Sequence, residues 1–202
     1  MIGIIDYGLG NIAALATVYK RLNIECIVIA KGIQCKEADK LILPGVGSFD
    51  YAMKKFRSSE VYTAVEDAVL SLKKPVLGIC VGMQMLADSS EEGIEKGLGW
   101  IPGKVLKLVS HDPIKVKLPH MGWNTVTPIS DHSLFKSLKN SLFYFVHSYY
   151  FEPQNKQDSI AITHYTKEFT CAVNFQNFYG VQFHPEKSHE FGMTLLKNYA
   201  EI

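Results

Sequence analysis

The chain has 202 residues, and its 21 Lys and Arg residues nearly balance its 20 Asp and Glu residues. The formal net charge of +1 offers no charged surface for a nucleic acid or a membrane. Apolar runs stay shorter than the ~20 residues that cross a bilayer, so we expect no nucleic acid and no membrane as partner. This length is enough for one sizeable core, and we expect a single domain over residues 1–202.

The cysteines indicate the compartment. They lack the paired spacing of a zinc site or of a disulfide framework. Two of them, Cys26 and Cys171, lie in strand-like patterns, where a cysteine usually acts as a small core residue. We therefore expect a cytoplasmic protein without a metal ion. The four cysteines are Cys26, Cys35, Cys80 and Cys171.

The first half of the chain alternates strands with helices. Ser48 is the predicted N-cap of one helix, and Asn23 is the predicted C-cap of another. Such alternation is typical of a parallel sheet that helices cover on both faces. The pattern predicts strands at 2–6, 24–30, 39–43 and 75–79 and helices at 11–22, 48–57, 60–73 and 82–88.

The second half changes character, because its segments are short, β-branched or aromatic, and bounded by turns. Pairs of these segments are expected to form an antiparallel extension, and a helix at 188–200 closes the chain. The predicted fold is therefore α/β: a flavodoxin-like, mostly parallel twisted sheet flanked by helices, with an antiparallel β extension in the second half. The predicted strands are 104–109, 114–118, 142–151, 159–165, 169–175 and 178–183.

One early motif imitates a cofactor site. Gly8, Gly10 and Ala13 match a dinucleotide fingerprint, since they follow a strand and open a helix. That fingerprint also needs an acidic residue at the end of the next strand. Here the next strand ends in Ala30 and Lys31, so we expect no bound cofactor.

A cysteine at a sharp turn carries the strongest chemical signal. In PVLGICVGMQ, residues 75–84, Gly78 and Gly82 flank Cys80 between an apolar strand and a helix start. G-x-C-x-G is the thiol version of the nucleophile elbow, and the N–H groups of a helix start favour a thiolate. The pattern alone fits a buried cysteine in a glycine-flanked turn equally well.

Two further segments supply what a cysteine nucleophile needs. In GVQFHPEKS, Pro185 is expected to keep the backbone extended, so that His184 and Glu186 point the same way as a base and its orienting carboxylate. Another predicted strand ends in PGVG at 44–47, where glycines allow backbone N–H groups to turn toward an oxyanion. Each segment alone is more often an ordinary turn.

Together these segments resemble the class I (triad) glutamine amidotransferases, in the order oxyanion loop, cysteine elbow and His-x-Glu. Two positions depart from the family pattern: Val81 replaces a common Leu but keeps its N–H, and Thr166 replaces a common Gly, which implies only a local turn change. The resemblance covers nearly the whole chain. Its segments are IIDYGLGNI at 4–12, LILPGVGSF at 41–49, GICVGMQML at 78–86, LPHMGWN at 118–124, YFVHSYYF at 144–151 and GVQFHPEKS at 180–188.

The resemblance implies a role for each residue that matches a family motif. It implies that Cys80 is the nucleophile, His184 the base and Glu186 the orienting group. The implied oxyanion donors are the backbone N–H groups of Val81, Gly45, Val46 and Gly47. The implied glutamine-binding residues are Gln84, Glu92, Ser148 and Tyr149. The implied partner-facing residues are Trp123, Asn11 and Lys187.

The resemblance also implies a partner. Ammonia released into water would be protonated and lost, so a glutaminase of this kind needs an acceptor enzyme docked over its site. The motifs match best the family members that serve histidine biosynthesis. That match implies a heterodimer with a (β/α)8-barrel cyclase, which converts a phosphoribulosyl aminoimidazole-carboxamide nucleotide. The sequence predicts a polar loop around Trp123, which is either a docking anchor or a core residue.

Three alternatives stay open. The same glutaminase step can serve a related cyclase that forms an amidine on a cell-surface sugar, and the motifs do not separate the two pathways. A cysteine hydrolase or protease on the same scaffold is a second alternative, against which the joint presence of HPE, PGVG and PHMGWN argues. A binding subunit with a dead site is the third, and the intact Cys80, His184 and Glu186 argue against it.

Overall fold

The chain folds into alternating strands and helices in a computed structural model that describes residues 1–110 and 117–202. The α-helices are α1 (Ile12–Arg21), α2 (Phe49–Arg57), α3 (Tyr62–Leu70), α4 (Val81–Met85) and α5 (His189–Glu201). The strands are β1 (Ile2–Ile5), β2 (Cys26–Ile29), β3 (Lys40–Gly45), β4 (Val76–Cys80), β5 (Ser89–Ser90), β6 (Gly103–Lys107), β7 (His120–Pro128), β8 (Ser141–His147), β9 (Tyr149–Pro153), β10 (Ser159–His164), β11 (Glu168–Phe175) and β12 (Phe178–Val181).

One large sheet runs through the molecule. Within the described ranges, nine strands pair in the order β2-β1-β3-β4-β12-β11-β10-β7-β8. The first five pair in parallel, and the other four extend the sheet in antiparallel fashion. A smaller sheet has the order β5-β6-β9. The predicted α/β fold, with its parallel part and its antiparallel extension, is confirmed.

The parallel strands are buried because helices pack around them. α1 packs against β1, β2 and α5, whereas α2 packs against α4. Nearly every residue of β1, β3 and β4 is buried, as expected for strands covered on both faces. The predicted caps also lie at helix ends: Ser48 is the N-cap of α2, and Asn23, one residue after the C-cap of α1, has a φ of 54°.

The segment around Trp123 is a strand and not the polar loop that the sequence suggested. β7 pairs with β8 from His120 to Val126. The usual pattern is inverted here, because His120 is buried whereas the alternating Met121 and Trp123 are 60% and 46% exposed. Over residues 120–124 the less exposed positions are His, Gly and Asn and the exposed ones are Met and Trp, so this part of β7 does not show the alternation from which strands are predicted.

The predicted strand 142–151 is two strands in two sheets. β8 belongs to the large sheet and β9 to the small one, and the chain bends between them at Ser148. The run is almost continuously apolar and aromatic, so its composition gives no sign of this break. Residues 114–116 of the predicted strand 114–118 lie outside the described residues, and 117–118 are in no strand.

The other elements were predicted to within a few residues of their ends, which is the usual uncertainty of helix and strand boundaries. The largest shortening is in the third helix, predicted at 60–73 and observed at Tyr62–Leu70. Across residues 1–110 and 117–202, no helix has both the length and the apolar character that crossing a bilayer requires.

Three glycines allow β3, β4 and α4 to approach one another closely. A Cβ atom on Gly82 would lie 1.9 Å from the carbonyl oxygen of Leu43 in β3. A Cβ on Gly45 would lie 2.4 Å from the Gly82 nitrogen, and one on Gly78 would lie 2.6 Å from the Gly82 oxygen. The neighbouring atoms are backbone and cannot move aside easily, so these positions exclude any side chain.

We expect Gly82→Ala to destabilise the fold by at least about 2 kcal/mol, because overpacking of this kind against backbone has no cheap relief. The measurement is the free energy of unfolding in urea. Gly47→Ala is the comparison, because a Cβ there meets nothing within 4 Å and only the φ of 87° opposes it. That strain should cost only about 1 kcal/mol. Equal losses in both variants would contradict the packing explanation.

Candidate active site

Cys80 lies on a sharp turn at the edge of the large sheet that is formed by the carboxyl ends of its parallel strands. It is the last residue of β4, and α4 begins at Val81. Its backbone has φ 56° and ψ −113°, a conformation that non-glycine residues avoid and that surrounding packing has to hold. Cys80 is 4% exposed. A strained strand-to-helix turn around a nucleophilic side chain is the geometry of a nucleophile elbow.

A histidine and a glutamate lie at the same edge of the sheet. β12 pairs in parallel with β4, with Val181 opposite Ile79, so the chain leaves both strands side by side. His184 Nδ1 lies 2.9 Å from Glu186 Oε1, and the two side chains are 3% and 2% exposed. The parallel register therefore brings together residues that are more than 100 positions apart from Cys80 in sequence.

The backbone around Pro185 differs from the expected extended form. His184 itself is extended, with φ −102° and ψ 94°, but Pro185–Lys187 form a 3-10 turn. Ser188 Oγ donates a hydrogen bond of 2.6 Å to the His184 carbonyl, which ties the end of the turn to its start. The turn returns Glu186 to His184, so the expected pairing forms by a different backbone route.

The histidine is held in its charged form. Burial lowers the pKa of His184, but attraction from Cys80 and from Glu186 outweighs it and raises this pKa to about 10. Among the described residues, neither His184 Nε2 nor Glu186 Oε2 has a hydrogen-bond partner, although both atoms are buried. Nδ1 is committed to Glu186, so Nε2 is the nitrogen that remains for exchanging a proton with a substrate.

A cavity of ≈ 320 Å³ opens beside Cys80. Four segments line most of it: the loop after β3, the elbow with α4, the bend between β8 and β9, and the 3-10 turn after β12. Gly45, one of the expected oxyanion donors, is not among the lining residues; it is the last residue of β3 and the register partner of Cys80. The lining residues are Val46, Gly47, Cys80, Val81, Gln84, Glu92, Pro119, Val146, His147, Ser148, Tyr149, His184 and Lys187. All four residues expected to bind glutamine are among them.

Gln84 is part of a hydrogen-bond network that reaches the sulfur. Its Nε2 donates to the Tyr149 carbonyl and to Gln182 Oε1, both at 3.0 Å. Gln182 Nε2 in turn lies 3.7 Å from Cys80 Sγ, and Gln182 is fully buried. Gln182 was not predicted as a site residue, although it stands in the GVQFHPEKS segment two residues before the histidine.

Glu92 joins the cavity wall to a helix N-terminus. Its Oε2 accepts a hydrogen bond of 2.7 Å from the N–H of Phe49, the first residue of α2. A carboxylate at this position satisfies an unpaired N–H and interacts favourably with the helix dipole. Glu92 thus fixes the start of the helix that follows the PGVG loop while lining the cavity.

Two buried histidines beside the cavity were also missed. His147 Nδ1 lies 2.7 Å from the Tyr149 carbonyl, and His147 Nε2 lies 2.9 Å from His120 Nδ1. Burial lowers the pKa of His120 to about 4. Burial is also the main reason why the pKa of His147 is lowered to about 3, and repulsion from His120 lowers it further. Both rings are therefore neutral at pH 7. PHMGWN and FVHSYY contain them, but neither motif reveals the contact.

The expected partner-facing residues lie outside or at the rim of the cavity. Trp123 is not a core residue: its ring stacks on His189 at 5.1 Å and meets Tyr144 edge-on at 6.0 Å. Lys187 is exposed, and its Nζ lies 5.6 Å from the centre of the same tyrosine ring. Asn11 is the N-cap of α1, a helix that contacts the 3-10 turn after β12.

No group of three or more His, Cys, Asp and Glu residues within 1–110 and 117–202 is arranged to hold a metal ion. The four cysteines are free thiols. The side chains that line the described cavity offer a thiol, two imidazoles, an amide, hydroxyls, a carboxylate and an ammonium group.

We expect acid to destabilise the protein through His120 and His147. Their folded-state pKa values of about 4 and about 3 lie below 6.5, so the unfolded chain binds more protons and stability falls as the pH drops below about 6.5. The free energy of unfolding should therefore fall less in His120→Gln than in the wild type between pH 7 and pH 5, by roughly 1 to 2 kcal/mol. Urea unfolding at both pH values measures it, with exposed His164→Gln as control. An unchanged fall in His120→Gln would refute the assignment.

Comparison with known proteins agrees with this geometry. The sequence model of the family described as "Glutamine amidotransferase class-I" matches residues 3–201. Imidazole glycerol phosphate synthase subunit HisH of Bdellovibrio bacteriovorus is 53% identical over the whole of both chains. The protein of the same name from Leptospira interrogans is 50% identical, again over the whole of both chains.

Solved structures share the fold at low sequence identity. A structure described as a glutamine amidotransferase superimposes with a TM-score of 0.75 at 18% identity, covering 98% of each chain. PurLQS from Thermotoga maritima gives a TM-score of 0.75 at 15% identity, covering 99% of this chain and 97% of the other. The full-length identity to the HisH proteins is far higher and defines the relationship more narrowly. The chain belongs to the class-I glutamine amidotransferases and, within them, to the HisH subunits of imidazole glycerol phosphate synthase.

Proposed function

We propose that this chain hydrolyses glutamine to glutamate and ammonia, and passes the ammonia to the cyclase subunit of imidazole glycerol phosphate synthase in a heterodimer. The cyclase, a (β/α)8 barrel, uses it to make imidazole glycerol phosphate and an aminoimidazole carboxamide ribotide for histidine biosynthesis. The observation that carries the proposal is the buried His184–Glu186 pair at the sheet edge where Cys80 emerges. The free thiols suit the reducing cytoplasm.

In the first half of the reaction, Cys80 attacks the side-chain amide carbon of glutamine. The imidazolium of His184 favours the thiolate, and the new C–S bond pushes an electron pair onto the amide oxygen. His184 then gives its Nε2 proton to the departing nitrogen, and the C–N bond breaks to release ammonia. A γ-glutamyl thioester remains on the sulfur.

In the second half, water replaces the sulfur. His184 takes a proton from the attacking water, a second tetrahedral oxyanion collapses, and glutamate leaves Cys80. Glu186 holds the imidazole ring in one orientation through both halves. The proposed oxyanion donors are the N–H groups of Val81 and of the Gly45–Gly47 loop, each worth about 3 kcal/mol in comparable acyl-transfer sites.

The amino-acid end of glutamine has a proposed place as well. Gln84, Glu92, Ser148 and Tyr149 all line the cavity beside Cys80. Glu92 provides a carboxylate that can receive the α-ammonium group, whereas the hydroxyl and N–H of Ser148 and the N–H of Tyr149 are the proposed donors to the α-carboxylate. Gln84 donates both of its amide hydrogens within the protein, so its proposed role is to hold the wall against which glutamine binds. A cavity of ≈ 320 Å³ is small, as suits one amino acid.

Trp123, Lys187 and Asn11 are proposed to face the cyclase. Trp123 is a large aromatic side chain that is 46% exposed, and aromatic side chains dominate the binding energy of many interfaces. Lys187 lines the cavity, so a partner docked here would cover the exit that ammonia uses. The surface-sugar alternative has less support, because the full-length relatives described above carry the HisH name.

We expect Cys80→Ala to abolish glutamine hydrolysis and to leave folding and docking intact. The cyclase should still work with added ammonia, because only the ammonia source is lost. The measurements are glutamate release and imidazole glycerol phosphate formation, each with glutamine and with ammonium salt. Cys26→Ala is the matched control, as its thiol lies in β2 outside the cavity. Substantial glutamine turnover by Cys80→Ala would refute the thioester mechanism.

We expect Trp123→Ala to weaken cyclase binding by about 2 kcal/mol or more, which is roughly a thirtyfold rise in Kd. Titration calorimetry with the purified cyclase measures it. Ile94→Ala is the control, because Ile94 is an apolar side chain that is 91% exposed and does not line the cavity beside Cys80. The anchor assignment is wrong if both variants bind as the wild type does.

The functional proposal as a whole is tested by comparing glutamine turnover in three mixtures: the chain alone, the chain with cyclase, and both with the acceptor nucleotide. Turnover should rise with each addition, because coupling hydrolysis to acceptor binding avoids wasted glutamine. Full turnover by the chain alone, unchanged by either addition, would favour a free-standing hydrolase.

A further inference from the structure

An unbroken run of hydrogen bonds leads from strand β7 to the glutamine cavity. Asn124 Nδ2 lies 3.1 Å from His120 Nε2, and His120 Nδ1 lies 2.9 Å from His147 Nε2. His147 Nδ1 then lies 2.7 Å from the Tyr149 carbonyl. The central bond joins direct register partners, since His120 stands opposite His147 in the β7–β8 pair.

The Tyr149 carbonyl at the end of this run determines which atom donates and which accepts in every hydrogen bond. A carbonyl oxygen only accepts, so His147 Nδ1 carries the hydrogen and Nε2 of the neutral ring must accept. His120 therefore donates from Nδ1, and its Nε2 accepts from the amide of Asn124. A proton added to His147 Nε2 would face the N–H of His120 across 2.9 Å, and a proton added to His120 Nε2 would face the N–H of Asn124 across 3.1 Å. The run has one satisfied arrangement, in which both rings are neutral.

His120 is fixed on its faces as well as on its edges. Its ring stacks on Phe145 with centroids 4.6 Å apart and on Tyr165 with centroids 4.0 Å apart, each at an interplanar angle of 23°. His120 is 2% exposed. A ring enclosed between two aromatic rings and hydrogen-bonded at both nitrogens cannot rotate, so it transmits the position of β7 to His147.

The far end of the run holds the wall of the cavity. The Tyr149 carbonyl accepts from His147 and also from Gln84 Nε2. Gln84 donates to Gln182 too, and Gln182 reaches Cys80 Sγ. The carbonyl is thus the point at which the histidine pair meets the side chains around the nucleophile.

We infer that His120 and His147 are positioning residues for glutamine: as a neutral hydrogen-bonded pair they fix the Tyr149 carbonyl and, through it, the amide of Gln84. This inference rests on the proposed function, because it assigns these groups to the glutamine-binding wall. His147 lines the cavity, but both of its ring nitrogens are occupied. It has no nitrogen left for a proton transfer, so it is not a second base.

The decisive comparison is His120→Leu against His120→Gln in the complex with cyclase and acceptor nucleotide. A Gln amide can donate to His147 with its nitrogen and accept from Asn124 with its oxygen, whereas Leu can do neither. His120→Leu should raise the KM for glutamine about tenfold, the effect of one lost buried hydrogen bond. Its kcat should change by less than about threefold, and His120→Gln should restore KM to within about threefold of the wild type.

Two further variants separate positioning from general destabilisation. Asn124→Asp keeps the side-chain shape but removes the donor to His120, together with the hydrogen bond from Asn124 Nδ2 to the His164 carbonyl at 2.9 Å, and it should also raise KM. Thr163→Val is the matched control, because buried Thr163 also donates a hydrogen bond to the same strand, from its Oγ1 to the Thr125 carbonyl at 2.8 Å, outside the run. It should leave KM unchanged even if it lowers the melting temperature as much as His120→Leu does.

The outcomes distinguish this inference from the function on which it rests. The positioning role of His120 and His147 would be overturned by equal KM values in His120→Leu and His120→Gln. It would also be overturned if the KM of Thr163→Val rose as much as that of His120→Leu. Neither result would affect the evidence for glutamine hydrolysis. Absence of glutamine turnover by the wild-type complex would overturn the proposed function and the inference together. Nitrogen NMR of labelled histidine should show both rings in the Nδ1–H form at pH 7. A protonated ring, or a ring with its hydrogen on Nε2, would also overturn the positioning role.

Discussion

The strained backbone of Cys80 is the constraint on which the site depends. A residue with φ 56° and ψ −113° keeps that conformation only where its surroundings leave no alternative. Here the surroundings are backbone: a Cβ on Gly82 would lie 1.9 Å from the Leu43 carbonyl oxygen. Close approach of β3, β4 and α4 therefore fixes the elbow, and the elbow places the sulfur at the sheet edge where the histidine and the cavity lie.

The register of the paired strands brings the two histidine-containing pairs to the site. The parallel pairing of β4 with β12 places Val181 opposite Ile79, which brings the His184–Glu186 turn to the elbow. The antiparallel pairing of β7 with β8 places His120 opposite His147. The parallel part of one sheet thus positions the His184–Glu186 ion pair, and its antiparallel part positions the neutral His120–His147 pair. The two pairs share no local sequence motif.

The sequence predicted what local rules control and missed what depends on contacts between strands. The parallel half followed from the alternation of apolar strands with capped helices. β7 was missed because its buried face carries His120 and Asn124 while Trp123 points outward, which inverts the usual pattern. The cavity-lining residues Gln84 and Tyr149 came from a family resemblance. Gln182 was missed, since its role arises only where it meets Gln84 and Cys80 in space.

Three buried histidines in one site differ in charge because their partners differ. Burial opposes the charged form of each. His184 faces a carboxylate and a sulfur, which more than compensate and raise its pKa to about 10. His120 and His147 have no carboxylate beside them, and their ring nitrogens meet each other, an amide and a carbonyl, so burial prevails and lowers their pKa values to about 4 and about 3. Groups whose pKa values are pushed apart in this way divide the work: one imidazole can move a proton at Cys80, and the other two can only hold a hydrogen bond in place.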